Sequence, residues 1–121
     1  MTSALAFSKA FQAILDIEVN PIPQKLFVRH RSEYVFILSK IHLSNCQHTE
    51  VSVNTLLNYS KFGSQPTLCK RINELEEFKF ITSQKSADQR VRSFEITKLG
   101  EQYLEECSQI LRAIYATHSE G

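Results

Sequence analysis

Basic side chains that could bind an anion are concentrated in the middle of this sequence. Between residues 61 and 98 there are eight lysines and arginines against five acidic residues, a net charge of +3, although the whole chain carries only +1. From residue 99 onward a single arginine opposes four glutamates. A local excess of positive charge suits a surface that meets a polyanion. The chemistry that this region favours is therefore the binding of phosphate groups.

Several polar side chains in this region are spaced to share one face of a helix. Leu68, Ile72 and Leu75 recur at intervals of four and three, which predicts a helix with one apolar face. The opposite face and the helix start would expose groups suited to reading base edges in DNA, namely Gln65, Pro66, Thr67, Lys70 and Asn73. An ordinary solvated helix face is the alternative interpretation.

A second set of side chains is suited to the phosphates of a nucleic-acid backbone. Ser64 is placed to cap the predicted helix, and Pro66 stands in its first turn. A charged turn, Asp88-Gln89-Arg90, separates two stretches that alternate like strands and predicts a hairpin with a basic tip. The expected phosphate contacts are Lys61, Ser64, Arg71, Lys85, Arg90 and Arg92. Arg90 could instead pair with Asp88 inside the hairpin.

Other reactive residues form no complete catalytic or metal site. His42, Cys46 and His48 supply only three ligands at a spacing that matches no common zinc site. Three widely spaced cysteines argue against a disulfide framework and for a reducing compartment. With three glycines and no recognisable catalytic arrangement, we expect neither an enzyme nor a cofactor. Cys69, near the predicted helix start, is either a redox-sensitive thiol or, as we favour, an inert half-buried residue.

The elements that must position these side chains are mostly helices in one domain, 1–121. Apolar stripes predict helices over about 4–19, 32–43, 54–59, 64–78 and 98–117, and alternation predicts strands over 80–86 and 91–96. The two prolines at 21 and 23 end the first helix. A short helix, a turn, an amphipathic helix and a hairpin together predict a winged helix-turn-helix over 51–97.

Two motifs in this region resemble those of the multiple antibiotic resistance regulator (MarR) family. The family's wing pattern is Asp-x-Arg, five residues, an aliphatic residue and Thr-x-x-Gly, which here reads 88–90 followed by Ile96-Thr97-Lys98-Leu99-Gly100. The family's recognition helix ends Leu-Glu-x-x-Gly-aliphatic-Ile, which here is 75–81. Lys79 stands where the family usually has glycine, so the helix exit needs another conformation or a left-handed lysine. The resemblance covers about residues 56–100.

The resemblance implies a mainly helical fold with a small β-hairpin wing, in which N- and C-terminal helices interlock in a homodimer. The residues agree, because the segments 1–31 and 98–121 carry more apolar surface than one intramolecular face requires. The expected dimer interface is Phe7, Phe11, Ile14, Ile110, Leu111 and Ile114. The alternative is that the two helices only cover each other within one chain.

The combined expectation is a cytoplasmic transcription regulator that binds a palindromic or pseudo-palindromic operator in double-stranded DNA as a homodimer. The recognition helix would be 64–78 and the basic wing 80–97. The sequence shows no signal peptide or membrane span, and nothing in it indicates a small-molecule effector, although the family resemblance allows one. The alternative is a winged-helix interaction module, such as an adaptor or antirepressor, that does not itself bind DNA; the modest local charge keeps this alternative open.

Overall fold

The computed structural model describes residues 3–59, 64–85 and 91–119 as helices surrounding one core, with an antiparallel hairpin at the side. In chain order the elements are α1 (Ser3–Leu15), α2 (Gln24–Arg29), α3 (Arg31–Cys46), α4 (Val53–Tyr59), α5 (Gln65–Glu77), β1 (Ile81–Lys85), β2 (Arg92–Ile96) and α6 (Lys98–Ser119). The strands pair in the register Ile81↔Ile96 through Lys85↔Arg92. None of these described helices combines the length and apolar character needed to cross a membrane. The predicted mainly helical fold with a hairpin wing is confirmed.

Two boundaries differ from the sequence prediction, and one helix was not predicted. The short helix α2 buries only Phe27 completely, so its six residues carry no readable period. Helix α1 ends at Leu15, earlier than predicted, because the backbone tightens there: the N–H of Ile17 donates to the carbonyl of Ile14 at 3.1 Å. Helix α3 continues to Cys46, about one turn beyond its predicted end at residue 43.

Helix α3 lies at the centre of the core, and it packs against α2, α5, α6 and β2. Tyr34, Ile37, Leu38 and Ile41 on α3 are buried together with the predicted inner face of α5, which is Leu68, Ile72 and Leu75. The ring of Phe27 stacks on Tyr34 and meets the edge of Tyr103 from α6. Burial of this apolar surface is the main favourable term for the fold, and it fixes which face of α5 points outward.

The chain leaves α5 through a left-handed conformation at Lys79, which is one of the two alternatives that the sequence left open. Lys79 has a φ of 69°. The N–H of Phe80 donates to the carbonyl of Leu75 at 2.9 Å, and the N–H of Lys79 donates to the carbonyl of Glu76 at 3.1 Å. These two bonds define a Schellman motif, which usually takes glycine at the left-handed position. The helix therefore stops sharply and delivers the chain directly into β1.

The Thr-x-x-Gly motif closes the base of the hairpin against this turn. The hydroxyl of Thr97 lies 2.6 Å from the carbonyl oxygen of Lys79, and it accepts the N–H of Gly100 at 3.2 Å, which caps α6. Gly100 is buried, and a Cβ there would lie 2.5 Å from the carbonyl oxygen of Phe80. Only glycine allows α6 to start this close to the hairpin, so the motif sets the angle between them.

Candidate nucleic-acid interface

Helix α5 presents the predicted base-reading residues together on its outer side. Ser64 precedes the helix in an extended conformation, as a capping residue does, although its hydroxyl makes no capping hydrogen bond to the first turn of α5 and lies 3.3 Å from that of Thr67. Gln65, Pro66, Lys70 and Asn73 are exposed and Thr67 is half-buried. The first turn of α5 contains no acidic residue. Except for Pro66, these side chains can donate hydrogen bonds to base edges or accept them.

Arg71 is a correction to the predicted phosphate contacts, because its side chain points into the protein. Only 7% of the side chain is exposed, and its Nη1 atom lies 2.7 Å from Oε1 of Glu74. Its Nε atom forms a second ion pair, 3.0 Å from Oε2 of Glu33 on α3, at an angle outside hydrogen-bond geometry. The guanidinium is thus held between two carboxylates and faces α3 instead of solvent. The signal in the sequence is its spacing, since 71 belongs with 68, 72 and 75 on the inner face.

Tyr34 extends the same network and stays a neutral donor. Its hydroxyl donates to Oε1 of Glu74 at 3.0 Å, the carboxylate that also holds Arg71. Burial and the hydrogen bond to Glu74 raise the pKa of Tyr34 to about 12. The start of α3 and the middle of α5 are therefore joined by ionic and hydrogen-bonded contacts around Arg71. These contacts fix the rotation of α5 about its axis, and with it the outward direction of Lys70 and Asn73.

Arg92 links the hairpin to the recognition helix. Its Nη2 atom lies 2.6 Å from Oε1 of Glu76 and 3.1 Å from the hydroxyl of Ser83 on the facing strand, whose hydroxyl donates to the same carboxylate. The guanidinium also lies over the ring of Phe94. Half of the Arg92 side chain is nevertheless exposed, at 50%. Lys85 stands opposite Arg92 in the strand register and is exposed, so the two cations share the outer end of the described hairpin.

The remaining predicted phosphate contacts, Lys61 and Arg90, lie outside the described residues, as does Asp88, the proposed partner of Arg90. Ser64, Lys85 and Arg92 are the predicted phosphate-binding residues that the described structure leaves accessible. They flank the outer side of α5 at its start and at the hairpin. The described part of the interface thus has fewer phosphate-binding residues than the sequence predicted, because Arg71 is buried.

The terminal helices pack on each other and still leave apolar surface exposed. Helix α1 packs along α6 within the chain, as one of the two sequence interpretations supposed, and buries the small side chains Ala6 and Ala10. Phe7 and Phe11 lie on the adjoining face of α1, 55% and 46% exposed, with their rings stacked at 5.9 Å. On α6, Leu111 is exposed, and the other predicted interface residues are half-buried, namely Ile14, Ile110 and Ile114. Contact within one chain therefore leaves Phe7, Phe11 and Leu111 exposed.

The cysteines and histidines form no ligand set in the described part of the chain. No group of three or more His, Cys, Asp and Glu side chains is arranged there to hold a metal ion. His42 and Cys46 do meet, with Sγ of the cysteine 3.6 Å from Nε2 of the histidine, one turn apart on α3. Burial raises the pKa of the Cys107 thiol, which keeps it protonated and unreactive. Cys69 is half-buried beside the outer face of α5, and its redox behaviour stays a prediction.

The elements and their order define a winged helix-turn-helix: α4 and α5 form the two-helix unit, and β1 and β2 form the wing that follows it. The sequence matches no model of a known protein family and no curated protein. Among solved structures, the fold is similar to that of a mutant of S. aureus MepR, a MarR-family regulator, with a TM-score of 0.65 and 17% sequence identity over 98% of this chain and 76% of that chain. At this identity the likeness shows the fold, and it confirms the winged-helix architecture predicted from the motifs.

Proposed function

We propose that this chain is a transcription regulator that binds duplex DNA with the outer side of α5 in the major groove. The observation that carries the proposal is the sorting of charge on α5. Two of its carboxylates, Glu74 and Glu76, are held by Arg71 and Arg92. Lys70, on the exposed side, has no carboxylate within ion-pair distance among the described residues. The third carboxylate of α5, Glu77, is exposed at the last residue of the helix. A helix whose other two carboxylates are held by arginines, and whose exposed side carries a lysine and amides, is suited to a groove lined with phosphates.

The wing supplies the second part of the proposed interface. Lys85 and the exposed half of Arg92 lie at the hairpin end, where a wing meets the DNA backbone beside the groove occupied by the helix. Arg92 would then act in two ways, because a guanidinium has donors enough for Glu76 and for a phosphate oxygen. Contacts of this type set the position of the protein on the duplex and make affinity depend on salt.

The same function requires two copies of the chain. One recognition helix contacts only a few base pairs, and specific sites are usually read by two helices one helical turn apart. The exposed aromatic pair on α1 and the exposed leucine on α6 offer a surface that a two-fold axis could cover. Support for the homodimer therefore comes from apolar surface that packing within the chain does not use.

A salt titration of binding to mixed-sequence duplex DNA tests the proposed function. We expect binding at low salt. The logarithm of the association constant should fall linearly with the logarithm of the salt concentration, with a slope of about −0.9 for each neutralised phosphate, because each such phosphate releases a counterion. The alternative is the interaction module, an adaptor or antirepressor. The observation that favours it is that Arg71 and Arg92 are both engaged by carboxylates, which lowers the free positive charge. Absence of binding even at low salt would contradict the proposed DNA binding and favour that alternative.

Lys70 is expected to read a base. The variant Lys70→Ala should weaken specific binding by about 1–3 kcal/mol and relax the preference at one base pair, because a lysine ammonium donates to guanine acceptors in the major groove. Binding to a panel of operators with single base-pair changes measures both effects. Lys9→Ala, an exposed lysine on α1, is the matched control and should leave binding unchanged. An equal loss on every sequence would instead make Lys70 a phosphate contact.

A further inference from the structure

One side-chain amide fastens the wing to the end of α3. The Nδ2 group of Asn45 donates to the carbonyl of Phe94 at 3.2 Å, and the N–H of Ile96 donates to Oδ1 of Asn45 at 2.9 Å. Both partners belong to β2, whereas Asn45 lies in the last turn of α3. A single carboxamide thus makes, with its donor and its acceptor, two bonds of the kind that a neighbouring strand would make.

These bonds complete the edge of β2 that faces away from β1. Alternate residues of an antiparallel strand direct their backbone groups to opposite edges, so Phe94 and Ile96 point theirs to the same side. The N–H of Phe94 donates to the carbonyl of Val51 at 3.0 Å. Val51 and Asn45 together therefore stand where a third strand would be, and the edge is tied to the helical core instead of to solvent.

The side chain at position 45 needs both a donor and an acceptor to do this. An aspartate would accept the N–H of Ile96 but would place a second acceptor against the carbonyl of Phe94, and a leucine of similar size would satisfy neither group. Asparagine supplies the pair at a fixed separation from a helix whose own position is set by the core. The orientation of the hairpin is therefore set relative to α3.

Helix α3 also holds the recognition helix, by its opposite end. Glu33 and Tyr34 in its first turn contact Arg71 and Glu74 of α5, while Asn45 in its last turn contacts β2. The two elements of the proposed interface are therefore attached to one rigid helix, one at each end. The two elements are also joined directly, by the turn around Lys79 and by the contacts of Arg92 and Ser83 with Glu76, and α3 adds an attachment of each element to the core.

We propose that Asn45 is a positioning residue for DNA binding, which holds the wing where Lys85 and Arg92 can reach the backbone of a duplex read by α5. The proposal rests on the function proposed above. Without the amide, β2 keeps its bonds to β1 and Val51 but the hairpin gains freedom to rotate. Its phosphate contacts then lose the preorganisation that makes them favourable.

The test compares Asn45→Leu with Gln47→Leu, a matched change at an exposed residue just beyond α3. In Asn45→Leu we expect the Ile96 amide to lose its hydrogen-exchange protection and the salt dependence of DNA binding to flatten by about one to two phosphates. In a Lys85→Ala, Arg92→Ala background, the same change should cause no further loss of affinity, because the contacts that it positions are already gone. Gln47→Leu should behave as wild type in each measurement.

Two results would overturn the proposal. If Asn45→Leu is folded and less stable but keeps the salt dependence of the wild type, the amide only stabilises the hairpin. The same conclusion follows if Asn45→Leu lowers the affinity for DNA by the same factor in the Lys85→Ala, Arg92→Ala background as it does alone. Failure of the wild type to bind any duplex would overturn the proposed function itself, which keeps the two failures distinguishable. If Asn45→Leu does not fold, Asn45→Asp with Gln47→Glu as its charge control gives the same comparison.

Discussion

The double variant Leu111→Glu, Ile114→Glu is expected to be a monomer that has lost tight binding to its operator. Leu111 is 37% exposed and Ile114 half-buried on α6, the helix along which α1 packs. Carboxylates at these positions would be buried without partners in a two-fold apolar interface, which costs several kcal/mol for each group. With only one recognition helix for each molecule, half of the base contacts disappear. Sedimentation at tens of micromolar and an operator titration measure the two consequences.

Leu43→Glu is the matched control for the dimer variant. Leu43 is an exposed leucine of α3 that borders a surface depression with Thr55 and Leu56, on the side of α4. A glutamate there should change neither the association state nor the affinity for DNA. A wild-type protein that sediments as a monomer at tens of micromolar and still binds its operator tightly would refute the dimer.

Arg71→Met is expected to destabilise the fold by about 3–5 kcal/mol, since removing one partner of a buried ion pair leaves the other charge buried and uncompensated. Here two carboxylates, Glu33 and Glu74, would lose their common cation. Arg112→Met is the matched control, because Arg112 is also a helical arginine paired with a glutamate but is 69% exposed. That change should cost about 0–1 kcal/mol. Urea unfolding of the three proteins gives the comparison directly.

The Arg71 experiment also decides between the sequence interpretation and the structure. If Arg71→Met were no less stable than Arg112→Met and bound every duplex more weakly by the same factor, Arg71 would be the phosphate contact that its charge and position first suggested. Arg71→Lys refines the result, because an ammonium is a point charge and cannot bridge two carboxylates as a planar guanidinium does. We expect it to recover only part of the stability lost in the methionine variant.

Local pattern was sufficient to predict the helix-turn-helix and the wing. The inner face of α5 follows from three apolar residues at helical spacing, and Leu68, Ile72 and Leu75 are all buried. The Thr-x-x-Gly motif entered the prediction only as part of the family resemblance, and Gly100 shows its physical reason, which is lack of room for a Cβ. Such features depend on residues near each other in sequence, so period and spacing reveal them.

What the sequence did not reveal depends on partners that are distant along the chain. Arg71 looks like a surface cation until Glu33, on another helix, is placed beside it. Asn45 lies beyond the predicted end of the second helix at residue 43, and only the tertiary structure brings it to Phe94 and Ile96. Helix α2 is too short to show a period and is stabilised through one buried ring, Phe27. The spacing of Arg71 indicates the inner face of α5, but a single sequence does not show which distant residues meet, and tertiary contacts override local preference.

The packing of α1 on α6 has a consequence for how the chain folds during its synthesis. Helix α1 is made first, but the helix that covers its alanine side begins only at Lys98, after every other described element. At ribosomal rates of about 5–20 residues per second, α1 waits on the order of ten seconds for this partner. Phe7 and Phe11 remain uncovered even after it arrives. The alanine side of α1 is thus open to aggregation and to chaperones in the nascent chain until α6 leaves the ribosome, and the aromatic pair stays open after that.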